Sequence, residues 1–156
     1  MMSVQFVQTK RQSRGGLQAV ALCSLMAANH VAAQSPCTSA QLQGSWELQS
    51  ATYRDKSGKV VGEIKDQQTK SRKLIAGQHF SFITWSADGK FQVAASGRFS
   101  ADAKGYHEQV DATSLARLQD KTYHFQCSIS GDNWLHQGLE DGIAIEEHWL
   151  RVSGVR

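Results

Sequence analysis

Long helices and long apolar runs are both missing from this sequence. Between its alternating stretches no long segment has a helical period, which argues against an alternating strand–helix architecture. The most apolar run, at residues 17–28, is shorter than the roughly 20 residues that cross a bilayer. Proline occurs once and glycine thirteen times in 156 residues, a composition that favours many tight turns. The length and the pattern together predict one all-β domain.

Motifs that carry catalysis or metal binding are absent as well. The sequence has no G-x-S-x-G nucleophile motif, no H-x-x-x-H pair and no paired cysteines at metal-binding spacing. We expect single surface histidines, although His107 and His124 could become neighbours across two strands. We therefore predict no catalytic residue, no metal ligand and no cofactor, and the missing motifs argue against an enzyme.

The first 33 residues have the features of an export signal. Lys10, Arg11 and Arg14 precede the apolar run, and small residues at Val31-Ala32-Ala33 suit a signal peptidase. We predict a signal peptide at residues 1–33, cleaved after its last residue, and a periplasmic or secreted protein. The mature chain would then have no integral membrane segment. A cytosolic amphipathic helix or a membrane anchor is the alternative.

Removing the signal removes the net charge. All 14 acidic residues lie after Ala33, whereas three of the 17 basic residues lie before it, which leaves 14 of each. Such a chain has no long-range field that attracts polyanions. Residues 65–73 (KDQQTKSRK) are basic, but they contain no apolar residue and no aromatic for stacking on bases. We predict a solvated loop there and no nucleic-acid partner.

Two cysteines remain after Ala33, at positions 37 and 127. An oxidising compartment permits a disulfide between Cys37 and Cys127, which would tie the N-terminal arm to a strand. Closing a loop of this length would contribute about 4 kcal/mol to stability. Two separate thiols are the alternative.

Short alternating runs separated by turn residues begin at Gly44. Strand-like runs occupy residues 44–53, 60–64, 74–76 followed by 79–85, 91–100, 106–111, 121–130, 133–137 and 143–152. Single helical turns are expected at 40–43 and within 113–119. About eight strands with short connections predict an antiparallel up-and-down β-barrel over residues 42–153, preceded by a linker at 34–41. A flattened sandwich is the alternative.

The two ends of this domain carry a recognisable pair of motifs. Gly44-x-Trp46 on the first strand and Trp149-x-Arg151 on the last resemble the signature of the lipocalin and calycin superfamily. Four further segments make the chain similar to small bacterial lipocalin-like domains of unknown function: His79-Phe80-Ser81-Phe82, Gly97-Arg98-Phe99, Tyr106-His107-Glu108 and Glu147-x-Trp149-x-Arg151. The resemblance implies that the arginine of the last strand lies over the tryptophan of the first and closes one barrel end. It implies a barrel and no chemistry.

Polar residues that share faces with apolar ones are the candidate binding residues. The proposed ligand-binding set is His79, Phe82, Trp85, Tyr106 and Glu108. Glu147 and Arg151 share another face and would join the set if all these faces pointed into one barrel. A buried carboxylate needs a partner. These residues could therefore form a polar pocket that binds a ligand, or an internal network in which they hydrogen-bond only to one another. Plain core is the alternative for the aromatic residues.

These observations favour an exported lipocalin-like barrel that binds a small, partly apolar molecule in its interior. One alternative is a non-enzymatic envelope protein with a filled barrel, whose outer surface meets a partner. Another is an enzyme of isomerase or hydrolase type that uses His79 and Glu108 as an acid–base pair.

Overall fold

In the computed structural model, which describes residues 37–66 and 68–152, a short helix precedes nine strands. The helix α1 is Ser39–Leu42, and the strands are β1 (Gly44–Arg54), β2 (Val60–Ile64), β3 (Thr69–Ala76), β4 (His79–Ser86), β5 (Phe91–Asp102), β6 (Gly105–Thr113), β7 (Thr122–Ser130), β8 (Asn133–Glu140) and β9 (Ile143–Arg151). A single 3-10 turn, Ala116–Leu118, lies between β6 and β7. The predicted signal peptide at 1–33 lies outside the described residues.

Eight of these strands close into a barrel. The last strand pairs with the first, from Trp46 opposite Arg151 to Arg54 opposite Ala144. The other edge of β1 pairs with two strands: the beginning of β1 pairs with β3, and the end of β1 pairs with β2. From β3 to β9 each strand pairs antiparallel with the next along the chain. The predicted antiparallel up-and-down barrel is therefore confirmed, with β2 as an additional ninth strand beside β1.

The alternating strand directions give the barrel two different ends. One end, called the floor, carries α1 and the tight turns at 77–78, 103–104 and 131–132. The other, called the mouth, carries the longer connections at 55–59, 65–68, 87–90 and 114–121 and the turn at 141–142. The floor is thus compact, whereas the mouth is formed by loops.

Trp46 is the centre of the floor. Its ring is completely buried and its indole nitrogen donates a 2.8 Å hydrogen bond to the carbonyl oxygen of Leu42 at the end of α1. The guanidinium of Arg151 lies 4.1 Å from the centre of the indole ring. It also donates hydrogen bonds to the carbonyl oxygens of Gln41 and Gln43. One cation therefore joins the first strand, the last strand and α1, in the arrangement that the sequence motif predicted.

Gly44 allows the arginine to approach this closely. Its φ of +119° lies in the region that favours glycine, and a Cβ atom there would lie 3.1 Å from Nη1 of Arg151. The glycine of the Gly44-x-Trp46 motif therefore serves the same closure as the tryptophan.

A disulfide between Cys37 and Cys127 fastens α1 from the other side. The two Cα atoms are 5.5 Å apart, and both side chains are buried. Thr38 caps the helix, since its side chain accepts a hydrogen bond from the backbone of Gln41. The described part of the predicted linker at 34–41 is thus packed beneath the barrel.

The prediction for residues 65–73 is wrong over its second half. β3 begins at Thr69, and Ser71, Lys73 and Ile75 alternate inward while their neighbours are exposed. The whole strand pairs with β4, and its residues 72–75 also pair with β1. The strand was missed because its inward residues include serine and lysine, which hides the period in hydrophobicity.

Neither helical segment within the described residues is long and apolar enough to cross a membrane.

Replacing Arg151 with alanine tests the closure at the floor. We expect Arg151→Ala to lower the free energy of unfolding by about 2 kcal/mol, since a cation–π contact and two hydrogen bonds to carbonyl oxygens are lost. Arg98→Ala is the matched control, because Arg98 is exposed and makes one 3.5 Å contact with Asp111. Urea denaturation measures both variants, and equal small effects would contradict the role given to Arg151.

Candidate functional site

A cavity of about 420 Å³ occupies the upper half of the barrel and extends to the mouth. Its walls combine aliphatic and aromatic side chains with charged ones. The apolar part of the lining includes Leu48, Phe82, Leu118, Phe125, Ile145 and Trp149. The charged and titratable part includes Lys73, Glu108, Arg117, His136, Glu140 and Glu147.

An ion pair crosses the barrel at the bottom of this cavity. Nζ of Lys73 on β3 lies 2.7 Å from Oε1 of Glu108 on β6, and the two side chains are only 4% and 7% exposed. The hydroxyl of Tyr106 donates a 2.7 Å hydrogen bond to the same carboxylate oxygen. Because β3 and β6 are not neighbours in the sheet, this contact joins opposite walls.

Aromatic rings surround the ammonium group of Lys73. Five ring centres lie within 5.3–5.8 Å of Nζ: those of Phe80, Phe82, Tyr106, Trp134 and Trp149. Ring faces attract a cation and partly replace the water that burial removes. Phe80, Tyr106 and Trp134 are buried and fill the barrel below the ammonium group, whereas Phe82 and Trp149 also line the cavity, which ends at Lys73.

A second polar pair lies on the adjacent strands β8 and β9. Nδ1 of His136 is 3.2 Å from Oε2 of Glu147, and the residues are opposite each other in the register. The carboxylate also accepts hydrogen bonds from the indole nitrogen of Trp149 at 3.0 Å and from the hydroxyl of Tyr53 at 3.4 Å. Glu147 therefore accepts hydrogen bonds from two neutral donors and lies beside the imidazole of His136.

The protonation of this second pair follows from its surroundings. Burial and the positive charge of Lys73 lower the pKa of His136, so the imidazole is neutral. Burial raises the pKa of Glu147, but the hydrogen bond from His136, the field of Lys73 and the indole of Trp149 outweigh it, and the net pKa is lowered. Burial, followed by the charge of the neighbouring carboxylate, raises the pKa of Tyr53 and of Tyr106, which both stay protonated as donors.

The mouth carries its own ion pairs. Nη1 of Arg117, in the 3-10 turn, lies 2.9 Å from Glu140 and 3.4 Å from Asp141, which joins the 114–121 connection to the β8–β9 turn. Burial raises the pKa of Glu140, and its pair with Arg117 acts in the opposite direction. Leu115 and Leu118 from the same connection line the cavity. This segment therefore covers part of the opening.

Three residues of the predicted ligand-binding set are inside the barrel. Phe82 and Glu108 line the cavity, and Tyr106 lies below it, completely buried. His79 is exposed and Trp85 does not line the cavity, so their placement in the interior is corrected. The inward face of β4 carries Phe80, Phe82 and Thr84, and alternation puts His79 outside.

The outward position of His79 also removes the hypothetical acid–base pair between His79 and Glu108. The histidine that does reach the interior is His136, which we expected at the surface. Its position could have been found from the alternation of Trp134 and His136 on β8, both of which are buried. Lys73 gave no such signal, since it stands among the polar residues of a strand that resembles a loop.

His107 and His124 are cross-strand neighbours, as the sequence suggested. They are opposite each other on β6 and β7, and their Nδ1 atoms are in contact on the outer surface of the barrel. Nε2 of His107 lies 3.6 Å from Asp102. Within residues 37–66 and 68–152 no group of three or more metal-binding side chains is present.

Comparison with known proteins gives no match for this chain among protein-family models, curated proteins or solved structures. The resemblance to lipocalins therefore depends on the closure motif and on the barrel itself.

The Lys73–Glu108 pair makes a specific prediction for stability. We expect Lys73→Met to lower the free energy of unfolding by about 3–5 kcal/mol, because a carboxylate is left buried without its cation. The double variant Lys73→Met/Glu108→Gln should recover most of this loss, since the amide oxygen still accepts from Tyr106. Lys70→Met, an exposed position on the same strand, serves as the control with a change of about 0.5 kcal/mol or less. Additive losses in the double variant, measured by urea denaturation, would contradict a direct pairing.

The neutral state of His136 predicts a pH dependence of stability. Because its pKa is lowered on folding, the unfolded chain takes up the proton first as the pH falls past its ordinary value of 6.5. Stability should therefore decrease between about pH 7 and pH 5, by up to about 1.4 kcal/mol per pH unit for this one proton. His136→Gln should flatten the decrease, whereas His148→Gln, at an exposed site, should leave it unchanged. Identical slopes for wild type and His136→Gln, from denaturation at several pH values, would refute this assignment.

Proposed function

We propose that this chain is an exported lipocalin-like barrel that binds a small, partly apolar molecule in its interior. The observation that carries the proposal is the 420 Å³ cavity with apolar walls and a few converging polar groups. Binding sites for small molecules typically have volumes of about 300–1,000 Å³ and this kind of lining. A filled barrel, the rival interpretation, describes only the lower half, where the rings around Lys73 are packed.

Two features support the lipocalin-like part of the proposal. The barrel is closed by β1 and β9, and Arg151 lies over Trp46 at the floor, as the family signature implies. With the floor covered by α1, a ligand would enter at the mouth. There the 114–121 connection contributes Leu115 and Leu118 to the cavity wall.

Export is supported by independent features of the sequence and the fold. Residues 1–33 have the pattern of a signal peptide. The bond between Cys37 and Cys127 suits an oxidising compartment such as the periplasm or the extracellular space. A soluble ligand carrier in either place would meet small apolar molecules that pass through the envelope.

Two neighbouring positions on β4 provide a direct test of interior binding. Thr84 lines the cavity, whereas Ile83 points outward and is 46% exposed. Thr84→Trp should fill the cavity and weaken binding of the neutral apolar fluorophore N-phenyl-1-naphthylamine at least tenfold, while Ile83→Trp should leave it unchanged. Native mass spectrometry of protein from its own host should also show a retained small molecule. If the fluorophore does not bind and no ligand is retained, the proposal is wrong.

A further inference from the structure

Below the mouth, the cavity is lined by one ammonium group, Lys73, and two carboxylates, Glu108 and Glu147. Lys73 and Glu108 neutralise each other at 2.7 Å. Glu147 is a second carboxylate that lines the cavity, and its side chain is 15% exposed. Among the described residues, no lysine or arginine nitrogen lies within 4 Å of it, and its close neighbours are His136, Trp149 and Tyr53. The carboxylate is therefore solvated by neutral donors but has no counter-ion of its own.

The imidazole beside this carboxylate presents an acceptor. Nδ1 of His136 lies 3.2 Å from the carboxylate of Glu147, but both ring nitrogens are buried without a hydrogen-bond partner within the described residues. A neutral imidazole has one N–H donor and one lone-pair acceptor, so one of these two nitrogens can accept a hydrogen bond from a ligand. His136 is 2% exposed and lines the cavity.

The rest of the lining suits a cation as well as an apolar group. Phe82, Phe125 and Trp149 line the same cavity as Glu147. Ring faces attract ammonium groups, most strongly where water is excluded. An anionic ligand would instead add a second uncompensated negative charge to a poorly solvated interior, which is unfavourable.

We propose that the interior site binds a small organic amine, whose ammonium group pairs with Glu147 while its apolar part lies against Phe82 and Trp149. The unprotonated ring nitrogen of His136 is the second acceptor available to the same group. This inference depends on the proposed function, since it names the class of ligand for the same cavity. Lys73 alone would suggest a site for ligands with a carboxylate group. Because Glu108 already neutralises Lys73, the site is expected to prefer an amine instead.

Three ligands of equal chain length separate charge from apolar binding. Octylamine, octanol and octanoate are each used to displace N-phenyl-1-naphthylamine from the protein at neutral pH. We expect octylamine to displace the fluorophore at a concentration at least tenfold lower than octanol, with octanoate the weakest. Glu147→Gln keeps an acceptor for Trp149 and Tyr53 but removes the charge. It should abolish the preference for octylamine over octanol.

Glu146→Gln is the matched control, because Glu146 is the preceding residue on β9 and is exposed outside the barrel. It should bind all three ligands like the wild type. The inference fails if octanoate or octanol displaces the fluorophore from the wild-type protein at the same concentration as octylamine. It also fails if the preference for octylamine persists in Glu147→Gln. Octanol displacement without a preference for the amine overturns this inference alone. If the fluorophore does not bind and none of the three ligands displaces it, the proposed function is wrong as well.

Discussion

The ammonium group of Lys73 lies inside a β-barrel, 2.7 Å from the carboxylate of Glu108 and away from water. Such a charge is strongly unfavourable unless other groups replace its hydration. The barrel supplies a carboxylate from the opposite wall, a tyrosine hydroxyl that orients this carboxylate, and five ring faces. The positions of Glu108 and Tyr106, two residues apart on β6, follow from this requirement.

The same requirement divides the barrel into two halves. Below Lys73 the rings that surround the cation also pack against one another, since Trp134 contacts both Trp46 and Tyr106 edge to face. This packing connects the ion pair to the floor, where Arg151, α1 and the disulfide close the end of the barrel. Above Lys73 no comparable group of rings is needed. The cavity begins there, with the His136–Glu147 pair in its wall.

Much of the fold was predictable from the sequence. Alternation in β1, β5 and β7 and the turn residues between strands predict the barrel, and the Gly44-x-Trp46 and Arg151 motifs predict its closure. The interior site was predictable only in part. Tyr106 and Glu108 share a face with Val110 on β6. The regular alternation along this strand correctly predicted that both side chains point inward. For β4 both faces carry large apolar residues, and the predicted set took His79 and Trp85 from one face and Phe82 from the other, of which only the Phe82 face points inward.

Lys73 shows why the remainder could not be predicted. A buried lysine is stabilised by partners that are far away in the sequence, here on β6 and at the ends of several strands. Its own segment contains serine, threonine and basic residues on both faces, which predicts a solvated loop. Only the pairing of β3 with both β1 and β4 determines which of these polar residues point inward. His136 differs, because its alternation with Trp134 on β8 indicated an inward position, although the carboxylate beside it is on the neighbouring strand.

The most direct test of this account is the NMR signal of the Lys73 ammonium group. In a ¹H–¹⁵N correlation spectrum at neutral pH, exposed lysine ammonium groups are broadened by exchange with water, whereas a buried group bonded to a carboxylate exchanges slowly. The account predicts a sharp lysine ammonium signal, shifted by the currents of the surrounding rings, that disappears in Lys73→Met and persists in Lys70→Met. If no such protected signal exists, or if it belongs to another lysine, then Lys73 does not lie inside the barrel and the proposed site is wrong.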